Sequence, residues 1–213
     1  MHNQGPSNLP PQPGTQVPPN VFNQLQNKNH GGHELFDVHE ILSGIINMLD
    51  QYQLYDQHIK DPELKEILIR QSAFVTAMYN TIVEIFQTGH EPNIPMKTYT
   101  MSQSHTTTYG IKPNAPKKPN QSVNDLTDKG LSSYMLGHTK ALASLFAMTA
   151  LEMTNPGIRR AVTYNVPNFI EMSYEIFLYQ NKNGFYQVPQ LNEQDMSLML
   201  KSYMTTPQRN IPQ

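Results

Sequence analysis

The chain has 213 residues and a formal net charge of −2, from 15 basic and 17 acidic side chains. Because nucleic acids and acidic membranes attract a surplus of Lys and Arg, neither is an expected partner of this chain. The absence of cysteine excludes disulfides, thiolate catalysis and Cys-based zinc sites.

Residues 1–32 are rich in Pro, Asn and Gln. Six prolines precede residue 20, and Lys28 is the only charged side chain before residue 31. Such a composition buries too little apolar surface to offset the entropy lost on ordering, so we expect a disordered tail. A basic start followed by an apolar run is missing, and no secretory signal is expected.

Residues 34–89 have the pattern of a helical hairpin. Apolar residues recur at steps of three and four from Leu35 to Tyr52, as in an amphipathic helix. Asp61 and Pro62 suit the cap and first position of a second helix, which runs to Gly89. The short turn between the two helices predicts antiparallel packing.

Residues 90–121 have no helical period and contain five prolines. We expect an extended crossover, which can run the full length of a helical bundle because an extended chain rises more than twice as fast per residue as a helix. Four tyrosines in this segment and the C-terminal part are predicted to be exposed: Tyr99, Tyr109, Tyr186 and Tyr203.

A second hairpin is predicted over 122–184. Ser122 and Asp125 resemble a capping box at the start of its first helix. That helix carries a face of small residues and is apolar or small nearly all round, so we expect it to be the most buried helix. The face consists of Gly130, Ser133, Gly137, Ala141 and Ser144.

Residues 130–151, which make up most of this helix, contain a single charged side chain, Lys140. His138 and Lys140 near its middle argue against a membrane span and favour a buried bundle helix. The last helix begins at Asn155-Pro156, and Pro167 is expected to kink it or split off its first turns. In the C-terminal tail, residues 192–213, the pattern permits a short helix over 192–203.

The two hairpins resemble each other. Each has a long apolar helix, an Asx-Pro turn (Asp61-Pro62 and Asn155-Pro156) and a second helix that ends near Gly. Two hairpins joined by a long crossover predict an all-α fold over residues 33–191, a four-helix bundle of ferritin-like type.

A ferritin-like bundle requires a search for metal ligands. The chain has no Glu-x-x-His motif, and residue counts from the two turns place the candidates in two different layers. We therefore predict no metal, cofactor or catalytic site. A metal-binding, ferritin-like oxidase or catalase-like enzyme is the alternative function. The candidate ligands are His39, Glu40, Glu84, His138, Glu152, Glu171 and Glu175.

Several short motifs, in order, resemble the coat F family of spore coat proteins from endospore-forming bacteria. The resemblance covers residues 33–191, beginning with His33 to Glu40 and Lys60 to Leu64. Stronger matches follow at Tyr109-Gly110 to Pro119, Tyr134 to Gly137, Thr149 to Glu152, Thr154 to Pro156 with Arg159-Arg160, and Tyr174 to Gln180.

The resemblance implies a ferritin-like helical fold and a structural role in the spore coat, after synthesis in the mother-cell cytoplasm. It implies other spore coat proteins as partners, leaves a homo-oligomer open and supplies no catalytic residues. A third hypothesis is an adaptor that binds a helix or peptide beside the small face of the third helix.

Overall fold

The structure is a computed structural model that describes residues 30–90, 92 and 95–207. Residues 1–29 of the predicted tail lie outside the described residues. The described chain is helical, so the all-α prediction is confirmed. Its helices are α1 (Gly32–Asp56), α2 (Pro62–Thr88), α3 (Asp128–Thr149), α4 (Pro156–Lys182) and α5 (Glu193–Leu200), with a 3-10 turn at Val123–Asp125.

The Asx-Pro turns begin α2 and α4 in the same way. The Asp61 carboxylate accepts a hydrogen bond from the Glu63 amide at 2.8 Å. The Asn155 side chain accepts from the Gly157 amide at 2.8 Å and from the next amide at 3.2 Å. A proline follows each cap at the first helical position, where its missing N–H costs nothing. Both helix starts therefore follow from the local sequence.

The four long helices pack around one core, with α1 and α4 each lying against both α2 and α3. The Lys60 amide donates to Asp128 at 2.9 Å, which places the end of α1 beside the start of α3. The Gly31 amide donates to the Thr154 hydroxyl at 3.2 Å, which places the start of α1 beside the end of α3. Helices α1 and α3 are therefore antiparallel.

Helices α2 and α4 are also antiparallel. Lys182, at the end of α4, pairs with Glu63 at the start of α2 at 2.9 Å. Gly157, at the start of α4, lies against Ile85 and the Gly89 carbonyl at the end of α2. The first turn (residues 57–61) and the second turn (residues 150–155) consequently lie at opposite ends of the bundle, called here the first-turn end and the second-turn end.

Helix α3 differs from its prediction in two respects. The capping box at Ser122 forms, but it caps the 3-10 turn, and α3 begins at Asp128 with Thr127 as its cap. Its small face is largely exposed, so the prediction that α3 is the most buried helix was wrong. Fifteen residues of α4 are buried, against eight of α3, because the crossover covers the outer side of α4.

Pro167 does not split α4, which continues from Pro156 to Lys182. The proline has no N–H to donate to the carbonyl of Thr163, one turn earlier. Thr163 is exposed, so water can satisfy that carbonyl. Of the two predicted alternatives, a kink or a split, the structure excludes the split of the first turns.

Among the helices of the described residues, none combines the length and apolar character that a membrane crossing requires.

Candidate functional site

The predicted metal-ligand candidates occupy different environments. In the described part of the chain, no three His, Asp or Glu side chains come together as a metal ion would require. Glu175 is the fully buried candidate. The others are exposed (His39, Glu40 and Glu152) or half-buried (Glu84, His138 and Glu171).

Glu175 on α4 is surrounded by hydrogen-bond donors. One carboxylate oxygen accepts from the Arg70 guanidinium at 2.5 Å and from the Ser102 amide at 3.1 Å. The other accepts from the Gln71 amide group at 3.1 Å and from the Tyr99 hydroxyl. A buried carboxylate is stable when it is paired and hydrogen-bonded in this way. These four donors occupy both oxygens of Glu175.

The network around Glu175 reaches across the bundle core. Gln71 on α2 also donates to the Met172 carbonyl at 3.1 Å and accepts from the Tyr52 hydroxyl of α1 at 2.9 Å. Burial raises the pKa of Tyr52 well above its ordinary value, so its hydroxyl remains a donor at neutral pH. The network therefore joins α1, α2, α4 and the crossover.

Tyr99 is buried, whereas the sequence predicts it to be exposed. Its ring packs edge-on against Phe74 at a centroid distance of 5.2 Å, and its hydroxyl reaches Glu175. Burial, followed by the hydrogen bond to Glu175, raises its pKa. The prediction was wrong because a residue in a segment without helical period can still face the core. The other three tyrosines, Tyr109, Tyr186 and Tyr203, are exposed as predicted.

Two asparagines of α4 bind the backbone of the crossover above and below Glu175. Asn168 accepts from the Tyr99 amide at 2.9 Å and donates to the Lys97 carbonyl at 3.3 Å. Asn181 accepts from the Thr108 amide at 2.7 Å and donates to the carbonyl of the same residue at 2.9 Å. These side chains replace the backbone pairing that an isolated extended segment lacks, and they fix the crossover along α4.

A second buried carboxylate, Glu34, joins α1 to the second turn. It accepts from the Asn155 amide at 2.7 Å, from the amide and hydroxyl of Thr154, and from the His30 ring. Burial alone would raise the pKa of Glu34, but these hydrogen bonds outweigh burial and hold the pKa below its ordinary value. Its negative charge lies beside the N-terminus of α4, where the helix dipole favours it.

The first turn is likewise held by a hydrogen bond from the second hairpin. The Tyr179 hydroxyl of α4 donates to Asp61, the cap of α2, at 2.9 Å. Burial and this hydrogen bond raise the pKa of Tyr179. Each turn is therefore held by a side chain of the other hairpin.

Large apolar side chains remain exposed at both ends of the molecule. The end patch lies at the second-turn end and consists of Leu35 and Phe36 at the start of α1, Met148 near the end of α3, and Leu151 after it. The apolar tail, residues 196–204, follows the first-turn end and contains the second half of α5, a helix with no buried residue. Its exposed members are Leu198, Met199, Leu200, Tyr203 and Met204.

A groove of about 490 Å³ lies beside α2, between Phe74, Met78 and the Pro95–Lys97 part of the crossover. Its walls combine apolar side chains with Thr81 and Asn165. It does not contain Glu175, so the largest polar network and this groove are separate features.

Sequence reasoning missed most of the Glu175 network. Gln71 interrupts an apolar stripe of α2, and Asn168, Glu175 and Asn181 are spaced by seven and six residues on α4. The spacing of seven places Asn168 and Glu175 on one face of α4, which is the signal that was available, whereas the spacing of six turns Asn181 about 120° away from Glu175. Their common partner, the crossover backbone, has no sequence signature.

Together, these features define an all-α protein whose buried polar groups bind its own segments and whose large apolar residues are exposed at its two ends. The Coat F domain family matches residues 127–189. The spore coat protein F-like protein YhcQ of Bacillus subtilis (strain 168) is 50% identical over 173 residues, which cover 81% of this chain and 80% of that protein. No solved structure matches the chain.

The chain belongs to the coat F family of spore coat proteins. The resemblance predicted from short motifs is thereby confirmed. The spore coat is the location that this family membership indicates.

Proposed function

We propose that the protein is a structural component of the spore coat that acts through contacts with other coat proteins and catalyses no reaction. The observation that carries this proposal is the use of Glu175. This is the fully buried carboxylate among the seven ligand candidates, and four donors of the chain itself occupy its two oxygens. Glu175 therefore acts as a structural hydrogen-bond acceptor that joins α4 to α2 and to the crossover.

The exposed surfaces support the part of the proposal that concerns partners. A monomeric protein in solution rarely exposes contiguous large apolar patches without a use for them. In this chain Phe36 is 74% exposed and Leu151 is 86% exposed, and both lie at the second-turn end. Exposed apolar residues at one end of the bundle suit contacts with other proteins in a protein shell.

We further propose that residues 33–191 form one four-helix bundle of ferritin-like type, with residues 192–213 as a separate tail. The support is the antiparallel packing of every neighbouring helix pair, with the two turns at opposite ends and a long crossover between them. Within that bundle type, the polar layer around Glu175 takes the place of a metal layer.

The proposed place of synthesis is the mother-cell cytoplasm, and the proposed partners are other coat proteins. A fluorescent fusion of the full chain, produced during sporulation, should surround the developing spore and remain in the coat fraction after extraction. A fusion that stays in the mother cell, or that is released with the soluble spore contents, would contradict the coat role.

Elemental mass spectrometry of the purified, dialysed protein tests the absence of a metal centre. The proposal expects no stoichiometric iron or manganese in a protein with a folded helical spectrum. Stoichiometric metal that is lost in a Glu84→Gln or Glu175→Gln variant would refute the structural reading and support the oxidase or catalase-like alternative.

A further inference from the structure

We propose that the protein assembles with itself head to tail, with the apolar tail of one copy packed on the end patch of the next. This inference deepens the proposed structural function, because it names a second copy of the chain as one partner. It rests on the positions of the two surfaces, their exposed area and the reach of the tail.

The tail and the end patch lie at opposite ends of one molecule. The tail leaves the bundle after Val188, whose carbonyl accepts from the Gly110 amide at 2.9 Å, near the end of α4. The end patch lies where α1 begins and α3 ends, next to the Glu34 contact with the second turn. The tail therefore starts at the opposite end of the bundle from the end patch.

The α5 part of the tail is too short to reach the end patch of the same chain. Helix α4 has 27 residues, which corresponds to about 40 Å at 1.5 Å per residue. Four extended residues and α5 carry the chain from Val188 to Leu200, a reach of roughly 26 Å. The α5 part of the tail must therefore meet another molecule if it is to be buried on an end patch.

The exposed apolar area is sufficient for a specific contact. The five large tail residues are between 65% and 92% exposed, and the four patch residues between 40% and 86%. With roughly 200 Å² for a side chain of this size, the tail offers about 800 Å² and the patch about 500 Å². Their sum, about 1,300 Å², lies at the lower end of the range for stable protein–protein interfaces.

The N-terminal segment is the other element that could cover the patch, because it precedes α1 at the same end. Residues 1–29 contain six large apolar residues among 29, whereas residues 196–204 contain six among nine. The density of apolar groups therefore favours the tail. A head-to-tail contact between different surfaces leaves one of each free at the ends of the assembly, so it continues as an open chain unless it closes into a ring.

The test uses the full chain and two surface variants. The tail variant is Leu198→Ser with Leu200→Ser, and the patch variant is Phe36→Ser with Leu151→Ser. Leu54→Ser is the matched control, since Leu54 is 61% exposed on α1 but belongs to neither surface. Circular dichroism confirms that each variant is folded, and sedimentation velocity measures the mass.

We expect the average mass of the wild type and of the control to rise at least twofold between about 1 µM and about 500 µM, as a contact of this size should be weak. Each double variant alone should remain a monomer. An equimolar mixture of the two should form a 1:1 dimer and nothing larger, because the mixture contains one intact tail and one intact patch.

A wild type that stays monomeric throughout this range would overturn the proposal, as would assembly of either double variant to the wild-type extent. A mixture that forms no dimer would show that the two surfaces do not pair with each other. If deletion of residues 1–29 converts a monomeric wild type into an assembling protein, the N-terminal segment covers the patch and the proposal is wrong. Any of these results leaves the coat role intact if the fluorescent fusion still surrounds the spore.

Discussion

Replacement of Glu175 by Ala removes the acceptor for four donors at once: the Arg70 guanidinium, the Gln71 amide group, the Tyr99 hydroxyl and the Ser102 amide. Removal of one partner from a buried ion pair costs about 3–5 kcal/mol, because the remaining charge has lost its partner. The Arg70 side chain is 29% exposed, so water can reach part of the freed guanidinium.

We therefore expect the Glu175→Ala variant to lose about 3 kcal/mol of unfolding free energy, near the lower end of that range. For a chain of this size, each kcal/mol corresponds to about 2–4 °C, so the melting temperature should fall by roughly 10 °C. Urea unfolding followed by circular dichroism at 222 nm measures the free energy, and a thermal scan measures the melting temperature.

Two further variants separate the network from general effects of substitution on α4. Glu171→Ala removes a half-buried carboxylate one turn earlier on the same helix and should change stability by no more than about 0.5 kcal/mol. Tyr99→Phe keeps the ring against Phe74 but removes one donor, and should cost about 1–2 kcal/mol. A Glu175→Ala variant within 1 kcal/mol of the wild type, or no more destabilised than Glu171→Ala, would refute the structural role assigned to Glu175.

Three other predictions concern Glu34, Asn168 and a pair of glycines. Because hydrogen bonds hold the pKa of Glu34 below its ordinary value of 4.5, its contribution is complete above that pH and is lost as pH falls through the folded-state pKa. The stability gap between wild type and Glu34→Gln, measured by urea unfolding, should therefore be smaller at about pH 3 than at pH 7; an unchanged gap contradicts this. Asn168→Ala should speed amide exchange over residues 97–110 and cost about 1–3 kcal/mol, whereas unchanged exchange would show that the asparagine does not hold the crossover. Gly137→Ala, with no atom within 4 Å of the added carbon, should stabilise α3 by about 0.5–1 kcal/mol. Gly44→Leu should destabilise the protein by about 1–3 kcal/mol, because its first added carbon already lies 3.0 Å from an α3 leucine; equal effects of the two glycine changes would refute this packing difference.

The sequence predicted the helices where local chemistry decides the structure. The Asx-Pro turns are an example, because the cap at Asp61 and the cap at Asn155 use only atoms within three residues of each turn. The apolar period of α1 likewise identified its buried face, including Val38, Ile45 and Tyr52.

The sequence failed where the partner of a residue lies far along the chain. The burial of Tyr99 depends on Glu175, 76 residues away, and on Arg70, 29 residues away. The exposure of the small face of α3 has the same origin: burial depends on which neighbour covers a face, and composition alone does not identify that neighbour. The crossover covers α4 instead, through Asn168 and Asn181.

The contacts between the two hairpins make the bundle rigid, and this rigidity is useful for a protein that assembles into a shell. Glu34 of the first hairpin holds the turn at Asn155, and Tyr179 of the second hairpin holds the turn at Asp61. Together with the crossover contacts to α4, these ties fix the relative positions of the hairpins at both ends and along the side. A body fixed in this way loses little conformational entropy when it binds, so modest surfaces at its ends can support assembly. In the proposed coat role, the buried carboxylates therefore act indirectly: they keep rigid the body that presents the end patch.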